Sequence, residues 1–278
     1  MVAVKNNIEW IDGAKGVATI SVILLHCLPC LNEIGYMLHI GQAVPVFIFI
    51  SAFLISTHFT TIESYFTIKR FVAKLKKIFV PFSIVTLLCA ICMYVGDYPI
   101  TLRTIIKGGG IGPGSYYPWI YMQIWLLTPF IVLLIRKTPI FLSLLITIAI
   151  AIISEYIFCI LENNEYFENI YRMTLSRYIM VLYLGGIWPI LNKKGRVFFL
   201  FLGFFSTICI LNDCYLHFFD LYSIVPTFWM GYHWYTAFYV ILIIVLLERI
   251  KYDESIKILG KYCWHIYLFQ MFCYSFVL

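Results

Sequence analysis

The 278-residue sequence carries little charge. Lys and Arg number 20, Asp and Glu 14, together 12% of the chain, about half the usual share of about 25% in soluble domains. So few charges exclude the one or two soluble domains that the length would otherwise allow. Low-complexity linkers and internal repeats are missing as well, and residues 1–278 read as a single domain. No Ser-His-Asp order, P-loop or dinucleotide fingerprint occurs, which removes the common soluble hydrolase, NTPase and dehydrogenase readings. The first apolar segment lacks the combined features of a cleavable signal peptide, so a retained first span is expected.

Cysteine is present nine times, with C-x-x-C pairs at Cys27/Cys30 and Cys89/Cys92. A structural zinc site needs about four well-spaced ligands. No partner pair lies near either motif, and most other cysteines sit in apolar runs as small hydrophobes. No metal site is expected.

What is abundant is apolar and aromatic. Hydrophobic residues make up 62% of the chain and aromatics 19%. The expected fold class is all-α, a polytopic transmembrane bundle of about nine to ten spans. Stretches of about 20 apolar residues occur at 11–28, 41–58, 78–95, 117–135, 139–160, 177–191, 196–212, 233–250 and 259–278. The second and sixth are short or interrupted. Residues 213–232 are aromatic and suit a re-entrant or interfacial segment. With the N-terminus inside, sixteen of the 20 Lys and Arg fall on inside segments and four outside. The net charge of +6 is thus a matter of loops facing the cytoplasm, not of nucleic-acid binding. The Gly- and Pro-rich loop GGGIGPGSYYP, 108–118, is either a plain turn or backbone that approaches a ligand closely.

Ionisable residues inside this background stand out. Lys15 and His26 are 11 positions apart in the first span, about three full helical turns, so both point the same way with a rise of about 16 Å. Asp12 falls on nearly the same face. Charge in a bilayer usually faces a cavity or a partner, so this face is expected to line a polar path. Alternatively Lys15 snorkels to the interface, Asp12 caps the helix and His26 is a hydrogen-bonded packing residue. As a functional group, neutral His26 would accept a proton from a hydroxyl. The cluster IKRFVAKLKKIFVPF, 68–82, is either a positive-inside anchor or a site for a phosphorylated cytoplasmic ligand. Glu155 and Gln123 each suit a satisfied polar core position. His39, His58, His217, His233 and His265 lie near span ends, where surface or interfacial packing is expected.

The order of these motifs, D-x-x-K-G…H in the first span, PVFIFISAFL at 45–54, KLKKIFVPF at 74–82, GPGSYYPWIYMQIWLLTPF at 112–130 and LGKYCWHIYLFQM at 259–271, resembles the membrane-bound acyltransferase-3 family. Its members O-acylate carbohydrates at bacterial surfaces. The resemblance implies a multi-pass protein of the bacterial plasma (inner) membrane. It implies an acyl-CoA donor, most often acetyl-CoA, reached from the cytoplasm, and an acceptor hydroxyl on an envelope polysaccharide or its lipid-linked precursor. The family's basic-x10-His motif maps onto Lys15 and His26, its paired basic residues onto Lys74 and Lys77, and its Ser-Gly-Phe element onto Ser51, Ala52 and Phe53. Lysines stand where arginines are common, and lysine holds phosphate as a point charge without a bidentate fork. Ala52 replaces a glycine, which puts close helix approach in question. The family usually has ten spans against nine counted here, which leaves a final helix missing or the count one short.

On this reading His26 is the general base or acyl relay, with Lys15, Lys74 and Lys77 near the donor phosphates and Asp12 beside them. Ser51, Tyr116, Tyr117 and Gln123 are assigned from motif position as donors toward the oxyanion or the sugar. Two other classes fit the same spans: a transporter or exporter of a lipid-linked glycan or acyl group without chemistry, and a structural or sensory membrane protein.

Overall fold

The computed structural model describes residues 2–28, 36–98, 101–102, 105–106, 109–112, 114–162, 170–216 and 233–275. Among them there is no strand. The principal helices are α1 (Val2–Cys27), α2 (Ala43–His58), α3 (Ile68–Val95), α4 (Tyr117–Lys137), α5 (Ile140–Glu162), α6 (Ile179–Ile187), α7 (Lys193–Leu211), α8 (Tyr239–Arg249), α9 (Glu254–Lys261) and α10 (Cys263–Tyr274).

Among the described residues six stretches are long and apolar enough to cross a membrane: Trp10–Cys27, Ile40–His58, Ile68–Val95, Tyr117–Lys137, Ile140–Phe158 and Lys193–Leu211. The other three expected spans are shorter among the described residues, and the count of nine to ten is not confirmed. At 177–191, the continuous helix is only α6, and every side chain from Met180 to Ile187 is buried by protein. Hydropathy cannot tell a helix buried in protein from one facing lipid. At 233–250, turns occupy the first residues and α8 has 11. At 259–278, the chain breaks at Tyr262 between α9 and α10. The third span starts ten residues earlier than expected, because Thr67 caps α3 by accepting the Arg70 N–H at 3.3 Å. The basic cluster is therefore helical.

The bundle is held at its centre by α2, whose Ile48, Phe49 and Ile50 are wholly buried. Outward faces are apolar stripes at helical spacing, such as Ile84, Leu87, Leu88 and Ile91 on α3, or Phe201, Phe204, Phe205 and Ile208 on α7. This inversion suits a lipid surround, where helices associate through close packing of small residues rather than by expelling apolar surface from water. Two contacts show it. Gly260 of α9 lies against the Asp12 carbonyl of α1, and Gly16 of α1 lies against the Ile256 carbonyl, so the two backbones touch. Gly185 of α6 lies against the Phe49 carbonyl and the Ala52 methyl of α2. Ala52 is fully buried, and close helix approach is kept at this position because the glycine stands on the partner helix.

Candidate active site

Asp12 is not a helix cap. It lies inside α1, well past its first turn at Val2, and its carboxylate sits 3.8 Å from the Lys15 ammonium. Along α1 the positions 12, 15, 19, 22 and 26 recur at spacings of three and four, one face of a helix. All five line a cavity of about 990 Å³, at the upper end of small-molecule sites. The shared face of Lys15 and His26 is thus a cavity wall rather than an interfacial anchor.

Helices α2, α3, α4, α9 and α10 supply other walls. Ser51 lines the cavity, but its hydroxyl donates to the Phe47 carbonyl at 2.8 Å. It can accept a hydrogen bond from a ligand but has no proton left to donate. Lys74 and Lys77 reach the cavity from α3. The Lys74 ammonium donates to the Tyr121 hydroxyl at 3.0 Å and lies 4.6 Å from that ring's centre. Tyr116 and Tyr117 also line it, with Tyr117 between the rings of Tyr121 and Tyr267 at 6.3 and 5.7 Å. The Gly-rich loop closes this side. Gly114 has φ +82°, a conformation other residues rarely adopt, lines the cavity and accepts the Tyr267 hydroxyl at 2.6 Å.

Gln123 is placed elsewhere. It does not line the cavity. Its amide nitrogen donates to the carbonyls of Met173 and Trp119 at 2.7 and 3.2 Å, and its oxygen accepts the Leu175 N–H at 2.8 Å. Its amide thus tethers the segment after α5 and suits the satisfied polar core position.

That tether positions two cavity residues that motif reasoning missed. Arg172 and Arg177 lie 4.9 and 5.4 Å from the centre of the Tyr116 ring, and Arg177 is only 3% exposed. Arg70, Tyr65 and Lys261 line the cavity too. Burial holds the Tyr65 phenol well above its ordinary value, so it stays a donor; its oxygen is buried without a hydrogen-bond partner. The lining thus holds seven Lys and Arg side chains against one carboxylate, Asp12. Such a wall attracts an anion. The arginines left a trace in the sequence as cations on segments expected outside, where few occur.

His26 lies in the last turn of α1, exposed along the cavity, with its ring 5.4 Å from that of Tyr274. Tyr274 also meets the Cys27 sulfur at 2.7 Å and donates to the Ile23 carbonyl at 3.3 Å, which fixes the end of α1. Among the described residues no side chain hydrogen-bonds either His26 nitrogen, so no carboxylate orients the ring as in a triad. Among the described residues no three His, Cys, Asp or Glu side chains gather as a metal site requires.

His233 departs from the surface position expected of it. It is 1% exposed and lies 3.6 Å from the wholly buried Glu155 carboxylate. His217, Cys30 and most of 213–232 lie outside the described residues.

Comparison with curated proteins and with solved structures returned no match. Comparison with family models matched the acyltransferase-3 model, described as an acyltransferase domain, over residues 8–277. That match takes in α1 with its Lys15 and His26, the Gly-rich loop and α10, and the chain belongs to the acyltransferase-3 family.

Proposed function

We propose that the protein transfers an acyl group, in the first instance acetyl, from acyl-CoA to a hydroxyl of an envelope polysaccharide or a lipid-linked glycan. The observation that carries this reading is the single cavity that joins Lys15, Lys74 and Lys77 to His26. A pyrophosphate and a ribose phosphate bring several negative charges, and the lysines and Arg70 supply the complement. The N-terminus faces the cytoplasm of the bacterial inner membrane, which gives the donor its entry.

His26 takes the proton of the acceptor hydroxyl, and the oxygen attacks the thioester carbonyl. The oxyanion of the tetrahedral intermediate is met by hydrogen-bond donors, for which Tyr116 and Tyr117 stand on the cavity wall. The C–S bond breaks as the ester forms, and the departing CoA sulfur takes the proton back from the imidazolium. Donor, base and acceptor need no covalent acyl-enzyme.

The test is a mass analysis of envelope glycan from a deletion strain complemented with wild type or His26→Ala. An acyl mass increment restored by wild type alone is the expected result. Unmodified glycan whose export changes with the gene would replace this reading with transport.

A further inference from the structure

Arg172 and Arg177 reach the cavity from the segment after α5, whereas Arg70, Lys74 and Lys77, assigned above to the donor phosphates, reach it from α3. Arg172 and Arg177 belong to the His26 end of the cavity. Arg172 lies on Tyr116, two residues after Gly114, whose carbonyl accepts the Tyr267 hydroxyl of α10, the helix whose Tyr274 meets the His26 ring, whereas Lys15 pairs with Asp12 about 16 Å along α1. We propose that Arg172 and Arg177 form a second anion subsite that recognises an acidic oxygen group on the acceptor, so that the acceptor is an anionic hydroxyl-bearing glycan rather than a neutral one. This rests on the acyl-transfer reading above.

The pair is built into the fold. Both guanidinium groups lie against the Tyr116 ring, and Arg177 also lies 4.7 Å from the Tyr178 ring centre. The tether from Gln123 to Met173 and Leu175 brackets Arg172 on its own segment. Arg172 meets no carboxylate among the described residues. A cation within a membrane protein is costly unless something answers it, and a guanidinium fork matches the two oxygens of a phosphate or carboxylate. At Arg172 the Tyr116 ring holds the guanidinium in place while leaving its N–H groups for that ligand. A phosphate of a lipid-linked glycan and a carboxylate of an acidic sugar share this chemistry.

The experiment uses the full chain in nanodiscs with acetyl-CoA and three probes on one sugar and one alkyl chain: decyl glucoside, the decyl phosphodiester of glucose, and decyl glucuronide. The expected result is a kcat/KM for at least one charged probe on the order of tenfold above the neutral probe. The charged probe that gains more identifies the source of the oxyanion. Arg172→Gln should bring the advantage within about twofold and Arg172→Lys should keep part of it. Equal use of all three probes by wild type would overturn the proposal. So would an Arg172→Gln variant that lowers all three rates alike, or one that weakens acetyl-CoA binding as much as it weakens the charged probe. Probe binding is also measured without acetyl-CoA. A charge preference in binding that Arg172→Gln abolishes, with no acetyl transfer to any probe, would retire the transfer reading and keep the subsite; transfer without a charge preference would do the reverse.

Discussion

Gln123 spends its whole amide on backbone, and that makes it a test of how the arginines are held. Replacing it by Ala leaves the Leu175 N–H and the Met173 carbonyl without this partner, a cost of about 1–3 kcal/mol. The segment 170–178 should loosen and Arg172 should lose its place on Tyr116. Thermal unfolding in detergent should register the lost stability, and kcat/KM should fall through a higher acceptor KM while acetyl-CoA binding holds. His26→Ala is different in kind. It should remove about 10²–10⁴ of the rate with little change in unfolding temperature, because the ring is exposed along the cavity beside Tyr274. Rate measured against stability for the two variants separates base from tether.

At the scale of elements, glycine contacts set the cavity's width. A methyl at Gly260 would meet the Asp12 carbonyl, which is backbone and cannot swing aside. Gly260→Ala should therefore push α9 off α1 at a cost of about 3 kcal/mol, and shift Asp12 and Lys15 with it. Gly185→Ala should behave alike against α2, and adding Ala52→Gly should recover part of the loss by removing the methyl contact while the Phe49 carbonyl contact stays. Detergent melts of the single and double variants decide this. The N-terminus of α9 adds a pH dependence. The exposed Asp253 carboxylate accepts the Ser255 N–H at 2.9 Å, which lowers its value from the ordinary 3.8. A carboxylate lowered on folding stabilises above its unfolded value and loses that contribution as pH falls through the folded one. Asp253→Ala should thus melt lower than wild type at neutral pH, with the difference shrinking below about pH 3.8. These elements also show what the sequence discloses. The 12, 15, 19, 22, 26 stripe on α1 was legible from periodicity, because Lys15 and His26 are anomalies in an apolar run. The apolar run at 177–191 is less legible for the opposite reason, since its side chains from Met180 to Ile187 are buried by protein and hydropathy does not separate that from lipid. The partnership of Gly185 with Ala52 lies 133 positions apart in the chain and left no local signal. The backbone partners of Gln123 were not legible, because motif position says that a polar group is needed, not which way it points.

At the scale of the whole molecule, polar groups are turned inward and apolar stripes outward, so a buried charge must be answered from another element. Glu155 on α5 is answered by His233, carried by the chain that leads into α8. The pair joins two elements far apart in sequence, and neither side chain is more than 1% exposed. Nearby, the Tyr235 hydroxyl donates to Asp213 at 2.8 Å, at the end of α7. Removing one partner of a buried pair leaves an uncompensated group and costs about 3–5 kcal/mol, whereas replacing both by apolar residues of similar volume is often near neutral. Glu155→Leu alone should therefore lower the unfolding temperature sharply, and so should His233→Leu. The double variant should recover most of the loss if the pair serves the bundle only as mutual neutralisation. A double variant no more stable than either single would instead mean that Glu155 and His233 each answer other groups, and that the polar cluster around Asp213 and Tyr235 is one network through which α5, α7 and the approach to α8 are held together.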